Sequence, residues 1–436
     1  MKQVPVERES AGLILSTFQT VSFFLVCRAF VLDNRMFDRT AMKARASLTA
    51  FSLMVVINTG APYRRVVEAK HANALEVSAS RRTAPSPCAK SLARWCVCEA
   101  ANQRALEILN ANHAKAFIVV QDVQTGALVA FAATDPSELD VTTPVNPLSL
   151  SKLFLAASWW DNRQPDSKFD NNGPRPDGAN PPAASRLTIH EVLVRSSDSG
   201  GRQMAVALRR SVGGKTVLND LKRYGVAQTA SSLKDDSFWG SLAPEWKSRL
   251  IPVAASVSLD AKTTDADWAD SLSVGEARMS VTALQVSRFL QAVGNSGLMV
   301  IPTAGSESEI SSMSKGPASG IQGPKRIVRI LREHTALRLQ SAMLDVVQHG
   351  TARNIARSLD GTGWRIGGKT GSGVALLPKG SQVDGWFAGL LFNRRGRARF
   401  TIATFVRSGR YGGEAAAHIS TELARYIIGR DGPVGN

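Results

Sequence analysis

Three short segments carry the residues best suited to chemistry: Pro147-Leu-Ser149-Leu-Ser-Lys152, Ser196-Ser-Asp198 and Lys369-Thr370-Gly371-Ser372. A serine hydroxyl is a weak nucleophile until a base removes its proton. Lys152 follows Ser149 by three residues, which places both on one face of a helix. Pro147 suits the start of that helix, where the positive end of the dipole favours a developing anion. A lysine serves as base only when burial or a nearby cation lowers its pKa from about 10.4. Lys369 is the candidate cation. Alone, a serine and lysine at this spacing are a capped helix and a solvated side chain. The ordered trio offers more: a second hydroxyl at Ser196, and in Lys369 and Thr370 a cationic strand able to hold a carboxylate. Glycines 367, 368, 371 and 373 would let a ligand backbone pair with that strand as an added edge. The backbone N–H groups of Ser149 and Ser372 are the expected donors to a tetrahedral oxyanion. The chemistry such a set would suit is acyl transfer through a serine.

The elements that must position these groups are legible in outline. Leu150, Leu153, Phe154 and Ala157 give the nucleophile helix an apolar face. Residues 385–392 and 397–406 alternate as paired strands, and residues 413–428 close the chain as a helix. Residues 91–110 also have helical spacing, through Leu92, Trp95, Ala101, Leu106 and Leu109. Two Asn/Pro/Gly/Ser-rich stretches, 161–185 and 304–324, are expected to be long loops. The fold class is α+β: an antiparallel sheet flanked by helices, with the site between the sheet and an all-helical lobe. His190 and His349 lie outside the motifs and are read as structural, and Trp159, Trp160 and Trp364 as packing residues.

With those segments in order, the chain resembles the penicillin-binding proteins, specifically the transpeptidase domain at the C-terminus of the class B enzymes. The resemblance runs from about Ala116 to about Gly429. Phe117 to Phe131, with Gly126 at its turn, is similar to that domain's opening hairpin, and Leu187 to Asp198 to the helix bearing the second motif. Met279 to Val286, then Gly294-Asn295-Ser-Gly297, are similar to the family's helix and asparagine-glycine turn. Met343 to Ala352 precedes the third motif, and Asp384 to Gly389 follows it, as they do in the family. The resemblance implies Ser149 as acylated nucleophile, Lys152 as base and Ser196 as proton shuttle. It implies Asp198, Lys369, Thr370, Gly371 and Ser372 as the substrate-binding groups, the donor peptide ending in D-alanyl-D-alanine. Peptidoglycan stem peptides and β-lactam antibiotics would be its partners, and no cofactor or metal is implied. One position departs from the pattern: the second motif ordinarily ends in asparagine, and here it ends in Asp198. An ionised carboxylate only accepts hydrogen bonds, and it would raise the pKa of whichever lysine it meets, Lys152 or Lys369.

The chain has 436 residues, 44% of them hydrophobic, with a net charge of +17. The first hundred residues hold 14 Lys/Arg against 7 Asp/Glu, so the basic excess is not confined to one tail. A basic surface suits anionic polymers or lipid headgroups, but nothing here is a nucleic-acid motif. Residues 1–63 contain two apolar stretches, 11–27 and 46–63, and the second follows Met42-Lys43-Ala-Arg45 as a signal or anchor would. One membrane crossing would place the catalytic domain outside the cytoplasm, in the bacterial envelope. Residues 1–41 are then read as an extension upstream of a natural start near Met42. Residues 64–115 are assigned as linker and leading helix, and 116–436 as the transpeptidase domain. Of four cysteines, Cys88 can bridge to Cys96 or Cys98, and the Cys-x-Cys pair lacks the further ligands a metal would need. Two rivals stay open, a β-lactamase of the same superfamily and a non-catalytic β-lactam sensor or wall-binding protein.

Overall fold

A computed structural model of the chain describes residues 98–112, 115–171, 186–227, 257–260, 262–276, 278–302, 325–377, 380–407 and 412–430. All of them belong to one compact unit, Pro85–Asn436. The apolar stretches of residues 1–63, the linker 64–90 and the loop 304–324 lie outside the described residues. Among the described residues, no helix is long and apolar enough to cross a membrane.

Five strands form the main sheet: β1 (Lys115–Asp122), β2 (Leu128–Ala133), β7 (Arg365–Leu377), β8 (Gly380–Phe392) and β9 (Ala398–Arg407). Their order is β2-β1-β9-β8-β7, and every neighbouring pair is antiparallel. Two short hairpins lie apart from it, β3 (Lys168–Asp170) with β4 (Arg186–Thr188), and β5 (Leu298–Pro302) with β6 (Lys325–Arg329). The expected opening hairpin and paired C-terminal strands are therefore present, and β7 forms an edge of the sheet.

Both faces of the sheet are buried, so its strands read as nearly unbroken apolar runs with the two cores alternating residue by residue. Ile118, Val120, Phe387 and Ile402 pack under α1 (Glu99–Ala111) and the final helix α9 (Gly412–Arg430), with Ile108, Ala416 and Leu423 opposite them. Phe117, Val119, Trp386 and Phe405 point the other way, against α7 (Ala283–Gly294). There Phe117 stacks on Phe405 at 5.2 Å and meets Trp386 edge-on at 5.5 Å. Residues 91–97 of the expected leading helix lie outside the described residues, and α1 begins at Glu99. Cys98, just before it, is disulfide-bonded, and the other three cysteines lie outside the described residues.

A second layer of helices carries Lys152 and Asp198. It comprises α2 (Ser151–Asp161), α3 (Ile189–Arg195), α4 (Asp198–Val212), α5 (Gly214–Arg223), the short α6 (Asp265–Ala269) and α8 (Glu333–His349). Helix α3 starts with a capping box, Thr188 and Glu191 exchanging side-chain and backbone bonds. Trp159 packs edge-on against Phe169, and Trp364 stacks on Phe400. His190 pairs with Asp345 at 2.8 Å across α3 and α8.

Candidate active site

Ser149 does not open a regular α-helix. It occupies a 3₁₀ turn, Leu148–Leu150, that leads directly into α2. Leu148 adopts φ +54°, a left-handed conformation unusual for a branched side chain. Its N–H donates to the Gly275 carbonyl at 3.2 Å, clamping the turn from outside. From the sheet side, the Trp386 indole N–H donates to the Asn146 carbonyl at 2.9 Å. The turn is thus held between the sheet and a short π-helical segment, Asp270–Val274, which ends at Gly275. Sequence periodicity missed this, because a strained turn leaves no apolar pattern.

Lys152 is fully buried, and its Nζ lies 3.0 Å from Ser149 Oγ. Its second partner is Asp198 Oδ1 at 2.7 Å, whose side chain is about half exposed. The sequence left two lysines open to Asp198, and the structure brings it to Lys152. The reason is local. Ser196 ends α3 with φ +55°, Ser197 caps α4 through Gly200 N–H at 3.2 Å, and Asp198 begins α4. This tight reversal sends Ser196 and Asp198 to different neighbours.

Ser196 Oγ lies 2.8 Å from Lys369 Nζ, which also donates to the Thr370 carbonyl at 2.8 Å. Lys369 is fully buried on β7 opposite Ala388. Thr370 Oγ1 meets Thr351 Oγ1 at 2.5 Å, and Ser372 Oγ accepts from the Gly413 N–H at the start of α9 at 3.0 Å. A Cβ on Gly371 would stand 3.2 Å from the Pro147 carbonyl and 3.4 Å from Ser149 N. The bare backbone of β7 therefore runs directly over the turn that carries Ser149. All eight residues singled out from the sequence converge here. Thr351 and Gly275 were not singled out; Thr351 lay within the segment resembling the family, while Gly275 carried no signal of its own.

Burial is the main force on both lysines. It lowers the pKa of Lys152, opposed by the Asp198 carboxylate and assisted by Arg202 one turn along α4. Lys369 is held well below the ordinary lysine range by burial and then by the Lys152 ammonium. Lys152 has Asp198, and Lys369 has only neutral hydroxyl and carbonyl partners within hydrogen-bond range. Among the described residues, no group of three or more His, Cys, Asp or Glu could hold a metal ion.

A five-stranded antiparallel sheet clasped by helices, with a serine–lysine pair beneath its edge strand, is the architecture of the penicillin-recognising transpeptidase fold. The family model for the penicillin binding protein transpeptidase domain matches residues 116–428, and the chain belongs to that family. Solved structures with the same fold include a peptidoglycan glycosyltransferase from Burkholderia ambifaria, at 19% identity and TM-score 0.55, covering 76% of this chain and 95% of that one. The transpeptidase domain of penicillin-binding protein 3 from Burkholderia pseudomallei matches at 19% identity and TM-score 0.54, covering 76% and 93%. PBPA from Mycobacterium tuberculosis matches at 14% identity and TM-score 0.56, covering 76% and 79%. A search of curated proteins found no match. The fold class and family read from the sequence are borne out.

Proposed function

We propose that the domain is a serine D,D-transpeptidase or D,D-carboxypeptidase acting on peptidoglycan stem peptides, and that β-lactams acylate it at Ser149. The observation that carries this reading is the pair of side-chain contacts meeting at one strand: Ser149 to Lys152 at 3.0 Å, and Ser196 to Lys369 at 2.8 Å. Neutral Lys152 takes the Ser149 proton as Oγ attacks the carbonyl of the penultimate D-alanine. The backbone N–H groups of Ser149 and Ser372 receive the oxyanion. Lys369 and Thr370 hold the terminal carboxylate. Ser196 relays a proton to the leaving D-alanine nitrogen as the C–N bond breaks, leaving an ester on Ser149. An amine from a second stem peptide completes the cross-link, or water completes a trimming reaction. Residues 46–63 would anchor or export the domain to the envelope, where the substrate lies.

Asp198 gives a second reading its own observation. Its oxygen sits 2.7 Å from Lys152 Nζ and favours the ammonium, which cannot act as base. A slow site that is acylated once and never turns over would be a β-lactam sensor. Intact-mass spectrometry of the full chain with benzylpenicillin, followed over hours beside a Ser149→Ala control, separates the readings. A lasting adduct of the parent, absent from the control, with D-alanine released from a stem peptide, is the expected result. A lasting adduct without peptide turnover favours the sensor, and an adduct that clears as antibiotic is consumed marks a β-lactamase. No adduct would overturn the mechanism.

A further inference from the structure

One end of the main sheet carries a group of arginines that the acyl-transfer steps leave unused. The turn from β8 to β9 reads Asn393-Arg394-Arg395-Gly396-Arg397, and Arg399 follows it on β9. Asn393 fixes the shape of the turn, its Oδ1 accepting from the N–H groups of Arg395 and Arg397 at 3.0 Å each. Arg394 donates to the Thr362 carbonyl at 3.3 Å and lies over Gly363, where a Cβ would come within 2.5 Å of its Nε. Arg365, the first residue of β7, rests against the same turn, its Nη2 3.7 Å from where a Cβ on Gly396 would stand. On α9, Arg425 donates to the Ser358 carbonyl at 2.6 Å, four residues before Thr362 (362 − 358). Arg365, Arg394, Arg395, Arg397 and Arg425 are exposed, and none forms an ion pair with a carboxylate among the described residues. Nearby acids leave that charge standing. Asp122 is buried and pairs with Arg399 at 3.4 Å, and Glu422 is held by Arg104 at 3.4 Å. Asp360 adds one exposed carboxylate against the five guanidinium groups.

Guanidinium groups fixed in place without carboxylate partners suit a layer of phosphates, which they can pair bidentately. Trp364 lies between Gly363 and Arg365, half-buried and stacked on Phe400, and an indole is at ease at the level of lipid headgroups. The chain also enters the domain at this end. Cys98 N–H donates to the Val129 carbonyl at the start of β2, and Val123 N–H donates to the Arg399 carbonyl. A tether through residues 46–63, as proposed above, therefore joins the domain where the arginines lie. The candidate site stands off from them: Ser372 is seven residues beyond Arg365 along β7 (372 − 365), roughly 23 Å at about 3.3 Å per residue. We propose that this arginine end docks on an anionic phospholipid bilayer, holding the domain at the membrane with the Ser149 side of β7 outward.

The test uses the full chain and phenylglyoxal, which modifies accessible guanidinium groups, with each modified arginine read by mass spectrometry. Vesicles of phosphatidylcholine alone are compared with vesicles in which a third of the lipid is phosphatidylglycerol. Any hold by the apolar N-terminal stretches is common to both. Arg407, at the opposite end of β9, is the internal reference. Arg394, Arg395 and Arg397 should react at least about fivefold more slowly on the anionic vesicles, since each basic residue near such a surface strengthens binding by about that factor. High salt should abolish the difference. In a chain combining Arg394→Gln, Arg395→Gln and Arg397→Gln, Arg365 should lose its protection while benzylpenicillin acylation matches the parent. Equal rates on the two kinds of vesicle, or protection of Arg407 as strong as that of the turn, would overturn the proposal. So would protection of Arg365 that survives the triple substitution. Equal protection by soluble poly-glutamate would show a general anion patch and overturn the bilayer as its partner. The parent footprint decides the matter by itself if the substituted chain fails to fold.

Discussion

Asp198 sets the working range of the site. In the proposed mechanism only neutral Lys152 accepts a proton, so acylation rises with pH through the Lys152 pKa. The carboxylate at 2.7 Å raises that pKa against the lowering effect of burial. Asp198→Asn removes the opposing charge and keeps a group that can accept a hydrogen bond from Lys152. The rising limb of benzylpenicillin acylation should therefore move to lower pH, with several-fold faster acylation at pH 7. Rates measured by intact mass from pH 5 to 9 check this, and a limb that stays put or moves up would remove Asp198 from control of the base. Serine, lysine and carboxylate were all legible as residue types at motif spacings. Which lysine takes the carboxylate was not, because the answer depends on how α3 hands over to α4.

That handover is a property of elements. Ser196 sits at φ +55°, where glycine is at ease and alanine is strained. Ser196→Gly should therefore be more stable than Ser196→Ala by about 1 kcal/mol, with both losing the contact to Lys369. Urea titrations measure the difference, and equal stabilities would mean the turn relaxes. On the other side of the nucleophile, Gly275→Ala forces a methyl group to within 2.0 Å of the Leu148 carbonyl oxygen. It should destabilise the domain by about 3 kcal/mol and displace the 3₁₀ turn, so that penicillin acylation falls more steeply than the folded fraction does. Acylation that only tracks the folded fraction would show that the turn holds its shape without the clamp. Strands with alternating burial and helices with capping boxes leave strong local patterns, and these were readable in advance. The clamp pairs a glycine with a backbone carbonyl far away in the chain, and no local pattern encodes it.

For the molecule as a whole, the site is a standing cost to stability. Lys369 is fully buried and its pKa is held well below the free value. Such a lysine binds fewer protons folded than unfolded, so the fold gains stability as pH rises from the depressed pKa toward about 10.4. Below the depressed pKa the penalty is complete. Lys369→Met should accordingly melt higher than the parent at pH 7 while losing penicillin acylation, and the gap should narrow toward pH 10. Parallel melting curves at pH 7 and 10 decide it, and a variant that melts lower at both would show Lys369 to be a net structural support. At this scale the sequence carried the family and the α+β class through six ordered segments. It did not carry the order of strands in the sheet, since the pairing of β1 with β9 joins residues nearly three hundred positions apart.

That pairing also governs when the protein can exist at all. Lys115 is matched to Arg407 and Asp122 to Phe400, so the first strand to be made lies beside the last. At typical rates of synthesis the interval between them is on the order of tens of seconds. For that time β1 and β2 lack the neighbour that β9 supplies, and the strand bearing Lys369 is made only toward its end. Ser149, though made early, stays without its lysine strand until the chain is nearly finished. Under the proposed mechanism Ser149 is thus silent during synthesis, and the site comes into being in the same event that closes the sheet.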